Sequence, residues 1–142
     1  MLPTEDTNVA PATAPGSAAI GIVRLSGPQA LPILRKVFRT KAALQPRVLC
    51  FGEVVDGEQL VDRCLAVYFA APQSYTGEEC AELQLHGGPI TVRRAMDALI
   101  HAGARPAEPG EFTKRAFLNG KIDLTQAEAR WLAARFQQMH RM

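Results

Sequence analysis

Three charged residues stand where a side chain could be held for binding chemistry. Glu82 lies between Ala81 and Leu83 inside an alternating, strand-like run. A fixed carboxylate there accepts two parallel N–H bonds from a flat heterocycle with an amino-pyrimidine edge. The same spacing also fits an ordinary solvent-facing strand residue, and the pattern leaves both readings open. Arg24 closes an otherwise apolar run, and its guanidinium could clamp a carboxylate or polarise a carbonyl. It could equally mark the point where a buried strand meets water. Lys121 directly follows Gly120, a glycine placed to end a helix, so its amine is expected at a fixed position.

Other clusters carry less. His86-Gly87-Gly88-Pro89 could present backbone N–H groups to an anion at a helix N-terminus, but a tight strand-to-helix turn explains the same glycines. No metal-ligand spacing, glycine-rich phosphate loop or dinucleotide fingerprint occurs, so the expectation is no metal site, no catalytic residue and no nucleotide hydrolysis by this chain. Cys50, Cys64 and Cys80 are odd in number and far apart. They read as small buried hydrophobes in a reducing compartment.

The elements that must position these residues follow from periodicity. Residues 1–7 are expected frayed and 8–18 a loop. Residues 19–25 read as a buried strand, with Ser26 capping a helix whose core face is Ala30, Leu31, Leu34, Val37 and Phe38. Strands at 48–55 and 60–69, joined at Asp56-Gly57, form a hairpin. A strand at 80–86 turns Leu83 and Leu85 to one face and Glu82, Gln84 and His86 to the other. A helix follows Pro89, with Val92, Ala95, Met96, Leu99 and Ile100 inward, and stops at Gly103. The segment 109–121 predicts a short helix burying Phe112, Ala116 and Phe117, with Lys114 and Arg115 outside. Asp123-Leu124-Thr125-Gln126 resembles a capping box opening a last helix. This order gives an α+β fold: a mixed β-sheet with helices on one face, plus a C-terminal helix.

Size and charge bound the rest. The 142 residues make one ordinary domain, and 47% hydrophobic content with 6% aromatics gives a mainly aliphatic core. A net charge of +2 is too small to argue for nucleic acid on electrostatics alone. Three arginines without an acid between Arg130 and Arg141 read as a solvated helix face. The N-terminus has neither the basic start of a signal peptide nor a long apolar run, so a cytoplasmic protein is expected, without membrane.

Several long motifs, in order, resemble one family. They are Gly21-Ile22-Val23-Arg24-Leu25-Ser26-Gly27, the Ser74-Tyr75-Thr76-Gly77-Glu78 to His86-Gly87-Gly88-Pro89 block, and Pro109 through Lys121 continued by Asp123 to Ala129. Together they are similar to the N-terminal folate-binding domain of MnmE (TrmE), the tRNA-modification GTPases. That resemblance implies a fold like the tetrahydrofolate-binding module of the glycine-cleavage T-protein. It also implies a constitutive homodimer and a one-carbon folate of the 5-formyltetrahydrofolate type, whose carbon goes to the wobble uridine (U34) of certain tRNAs. The implied partner is MnmG (GidA), with tRNA met through the full complex. GTP and potassium belong to the family's G domain.

By motif position, the folate contacts fall on Arg24, Glu82 and Lys121. The expected division is 1–121 as folate-binding and dimerisation domain and 122–142 as the start of the family's helical domain, truncated, with the G domain absent. Enzyme activity is left open, since GTP hydrolysis by this chain alone is not expected. Two departures stand out: Ala14-Pro15-Gly16-Ser17-Ala18-Ala19 replaces Pro-Pro-Gly-x-Gly-Gly, and Arg130-Trp131 replaces an aliphatic continuation. The rival readings are an interaction module that dimerises or binds MnmE or MnmG with no working pocket, and an autonomous folate-dependent enzyme. The second lacks a catalytic acid with a base partner.

Overall fold

A computed structural model describes residues 6–12 and 20–141, with side chains through 133. Of the segment 1–7 expected frayed, residues 1–5 fall outside the described residues, as does the departure at 14–19, whereas Thr7 is buried and its hydroxyl accepts from Gln29 N–H. The element order is β1 (Asn8–Pro11), β2 (Ile20–Ser26), α1 (Ala30–Val37), β3 (Phe38–Arg39), β4 (Cys50–Asp56), β5 (Gln59–Phe69), β6 (Cys80–His86), α2 (Pro89–His101), β7 (Arg105–Pro106), α3 (Glu111–Leu118) and α4 (Leu124–Arg141). Among the described residues the strands form one sheet in the order β3-β4-β5-β6-β2-β1-β7. Only β1 and β7 run parallel, so the sheet is mixed, as the alternation of hairpin and crossover links requires.

The two sheet faces differ in chemistry because side chains alternate along each strand. Val23 and Leu25 of β2, Leu83 and Leu85 of β6, Cys64 and Ala66 of β5, and Val54 of β4 turn to one face. There they join Ile33, Leu34 and Val37 of α1 and Ala95, Ala98 and Leu99 of α2 in a single core. α2 lies close to β2 where Gly21 has no side chain: a Cβ there would come within 2.6 Å of Val92. The opposite face carries Arg24, Glu82 and their row neighbours.

Three local expectations are corrected. Residues 8–11 are a strand, not a loop, because Asn8 to Pro11 pair with Ser26 to Val23 along the β2 edge. Ser26 does not cap α1: it ends β2, and its hydroxyl binds Thr76 and Glu78. The N–H of Gln29, which precedes the first residue of α1, is satisfied by the Thr7 hydroxyl, at 2.9 Å. In α3, Ala116 is buried and Lys114 exposed as expected, but Phe117 is exposed and Arg115 buried, the reverse of what was expected for those two. Other features stand where periodicity put them. Strand 80–86 and the 56–57 hairpin are present, and the capping box closes with Gln126 N–H to Asp123 at 2.8 Å and Asp123 N–H to Gln126 at 3.1 Å.

Candidate functional site

Arg24 and Glu82 meet because β2 and β6 pair antiparallel with those two residues directly opposite. The row continues to Ala10 on β1 and Val67 on β5, so aliphatic neighbours flank the charged pair. Arg24 donates from Nε at 2.8 Å and from Nη2 at 2.6 Å, both to Glu82 Oε1. Oε2 accepts no hydrogen bond from any described residue. Glu82 is only 9% exposed, whereas the Arg24 side chain is 28% exposed. The expectation that Glu82 faces away from the core holds. Its burial comes from the guanidinium and the neighbouring strands, not from the apolar core. A carboxylate fixed by one oxygen and free at the other is a directed acceptor.

Tyr75 completes one wall. Its ring lies 5.7 Å from the Arg24 guanidinium carbon and 5.4 Å from that of Arg130 on α4. Its hydroxyl is 3.0 Å from that of Thr113 on α3 and accepts from Arg130 Nη1 at 3.2 Å. Sequence reasoning placed Tyr75 inside a dense motif without giving it a role. The signal was an aromatic next to Thr76-Gly77, but which charge it would cover is set by packing.

Lys121 is placed by its backbone. Gly120 has φ +73, a left-handed turn that glycine adopts without a Cβ clash, and Lys121 N–H then caps Ala116 O at 2.8 Å. The Lys121 stem runs beside Gly77, where an added Cβ would meet Lys121 Cγ at 3.4 Å and Asn119 Cβ at 2.9 Å. Asn119 also donates to Thr76 O at 2.8 Å. Lys121 is exposed and makes no ion pair among the described residues. The structure thus brings Arg24 and Glu82 into contact, and joins Lys121 to the 74–79 loop that leads into the Glu82 strand.

That loop is anchored by a buried arginine that the sequence reading put on the surface. Arg115, 2% exposed, reaches Glu78 at 3.1 Å, Asp6 at 2.9 Å and Glu111 at 2.8 Å, and donates to Ser26 O at 2.9 Å. A buried cation needs such pairing to offset its lost hydration. Arg105 binds the same Asp6 and Glu111. Burial alone would push the Glu111 carboxyl up. The hydrogen bonds from Arg105 and the Glu108 N–H, with the charges of Arg115 and Arg105, outweigh it and bring it down to about 2. Asp6 is also lowered, chiefly by its hydrogen bond from Arg105.

Elsewhere, Pro89 takes the first position of α2, and His86 is paired with Asp62 at 2.9 Å. Among the described residues no group of His, Cys, Asp and Glu is arranged to hold a metal ion. No described helix is long and apolar enough to cross a membrane. An open depression of about 940 Å³ lies away from the Arg24–Glu82 pair, lined among others by Arg39, Lys41, Leu49, Phe51 and Arg63.

The family described as "GTP-binding protein TrmE N-terminus" matches residues 7–121. The chain is similar to the tRNA modification GTPase MnmE of Aquifex aeolicus, 57% identical over 123 residues, covering 85% of this chain and 27% of that protein. It is 51% identical to the protein of the same description from Thermotoga maritima over 124 residues, 87% of this chain and 28% of that one. The Roseiflexus castenholzii relative is 51% identical over 128 residues, with 88% and 28% covered. The chain therefore spans little more than a quarter of these relatives' length.

Proposed function

The chain belongs to the TrmE/MnmE N-terminal-domain family, and from that premise we propose that it binds a one-carbon tetrahydrofolate of the 5-formyltetrahydrofolate type on the open sheet face. The observation that carries this reading is the in-register Arg24–Glu82 pair, in which Arg24 occupies one carboxylate oxygen and Oε2 stays available. Oε2 can accept one N–H of a pterin's amino-pyrimidine edge, and the second, parallel N–H reaches Oε1 once Arg24 yields part of its hold there. Arg24, held beside Glu82 yet partly exposed, and Lys121, exposed beside Gly77, supply positive charge for the ligand's carbonyl and acidic groups. The folate so held would serve modification of the tRNA wobble uridine (U34), with this domain as a homodimer in the cytoplasm and MnmG (GidA) as the partner. GTP and potassium would act at a G domain outside this chain, and tRNA would be met through the full complex. Residues 1–121 would be the binding and dimerisation unit, and 122–142 the start of a helical domain.

The test is calorimetric titration of 5-formyltetrahydrofolate into the chain and into Glu82→Ala. The expected result is saturable binding that weakens about ten- to a hundredfold in the variant, the loss of a charged hydrogen bond worth roughly 1.5–3 kcal/mol. Unchanged affinity in Glu82→Ala would overturn the site.

A second reading, an interaction module without a working pocket, is favoured by one observation. Val48, Leu49 and Phe51 are exposed together at the β4 end of the sheet, Phe51 at 66%, beside Arg39, Lys41 and Arg63. A folded, dimeric chain that takes up no folate, and becomes monomeric as Phe51→Glu, would establish that reading instead.

A further inference from the structure

Tyr75 touches both halves of the molecule at once. Its ring is shared between Arg24, which is committed to Glu82, and Arg130, which sits on α4. Its hydroxyl holds Thr113 of α3 and receives Arg130. The next residue along α4 is Trp131, whose ring lies against Gly110 at the start of α3: a Cβ there would be 2.2 Å from Trp131 Cδ1. The path from the free carboxylate oxygen to the α3–α4 packing thus runs through one guanidinium and one phenol.

We infer that Tyr75 couples occupancy of the Arg24–Glu82 site to the docking of α4 on α3. In its folate form the inference rests on the function proposed above; the contact chain itself does not. A flat ring donating to Glu82 Oε2 arrives beside the Arg24 guanidinium and competes with it for the carboxylate. Arg24 then changes its seat under the Tyr75 ring, and the phenol hydroxyl carries that displacement to Thr113 and Arg130. Coupling of this kind is reciprocal, so loosening α4 must alter ligand affinity by the factor by which ligand alters α4 docking. Tyr75 touches Arg24, and it acts on α4 only through the groups that its hydroxyl binds.

The chain contains a single tryptophan, Trp131, so 5-fluorotryptophan labelling gives one fluorine resonance reporting the α3–α4 contact. Two perturbations are compared in the full 142-residue chain. Without ligand, Glu82→Gln removes the negative charge that holds Arg24 and is expected to move the resonance. With 5-formyltetrahydrofolate, the resonance is expected to move along the calorimetric binding curve. In a Tyr75→Phe background both displacements should fall below about half, while affinity changes no more than roughly fivefold, one modest hydrogen bond. Arg130→Met, an exposed change, should give the same loss of coupling and guards against a folding defect in the Tyr75 variant.

Full displacements in both Tyr75→Phe and Arg130→Met would overturn the inference, as would a wild-type resonance that ignores both perturbations. The two readings separate cleanly. Folate binding with a silent resonance refutes the coupling alone. A resonance that responds to Glu82→Gln in a chain that binds no folate refutes the folate reading alone.

Discussion

Glu111→Gln isolates one proton in the network that anchors the 74–79 loop. The Glu111 side chain is 13% exposed and is held by Arg105 at 2.5 Å and Arg115 at 2.8 Å. Those contacts bring its carboxyl from 4.5 down to about 2, overcoming the burial that would raise it. The folded value is depressed, so the stabilisation is fully present above the unfolded value near 4.5 and is lost as pH falls through about 2. The difference corresponds to about 3 kcal/mol at neutral pH. At pH 3 roughly 2 kcal/mol of it is already gone, because the unfolded chain has taken up the proton and the folded chain has not. The amide of the variant does not titrate. The stability gap between wild type and Glu111→Gln should therefore narrow by about 2 kcal/mol between pH 7 and pH 3. Urea unfolding followed by far-UV circular dichroism measures it, with equal m-values confirming that midpoints can be compared. A gap of constant size across that range would refute the argument, since a proton-independent effect of the substitution cancels in the difference.

Removing the cation itself, as Arg115→Met, leaves Glu78, Glu111 and Asp6 facing one another, and should lower stability by about 3 kcal/mol or more in the same unfolding assay. Gly77 and Gly120 both have positive φ, +83 and +73, but only Gly77 is crowded, by Asn119 and Lys121. Each alanine substitution carries about 1–2 kcal/mol of left-handed strain, so Gly77→Ala should be the more destabilising, and should also weaken folate binding where Gly120→Ala does not, as calorimetry would show. The three cysteines are buried and free, and burial, then the nearby Asp62 charge, pushes the Cys64 thiol up to about 12. A chromogenic disulfide reagent at pH 8 should accordingly react slowly with the native chain and fast after addition of denaturant; fast native reaction would contradict the core packing.

Much of the fold was legible because its cues are local. Strand 80–86, the Asp56-Gly57 hairpin and the Asp123–Gln126 capping box each depend on residues within a few positions of one another, where alternation, a glycine turn or a reciprocal hydrogen bond suffices. β1 was missed for the opposite reason. Asn8-Val9-Ala10-Pro11 has a weak strand pattern and is a strand only because the β2 edge pairs with it on one side and the Ala107 N–H donates to Val9 O on the other. Thr7, likewise, replaces Ser26 as the partner of the α1 start because the sheet brings it there.

The candidate site divides along the same line. Sequence alone determined the residue types: a carboxylate mid-strand, an arginine at a strand's end, and a lysine after a helix-ending glycine, within motifs dense enough to name the family. It also set the alternation that turns Arg24 and Glu82 away from the apolar core. Only the tertiary structure decided that the two stand opposite each other, 58 positions apart in the chain. Tertiary contacts likewise decided that one carboxylate oxygen is used and the other free, and that Tyr75 covers Arg24. They also turned Arg115, polar by every sequence measure, into a buried post. Periodicity records which side of an element a residue takes, but the cost of burying a charge depends on counter-charges brought from Asp6 and Glu78, 109 and 37 positions away, and no local pattern encodes them.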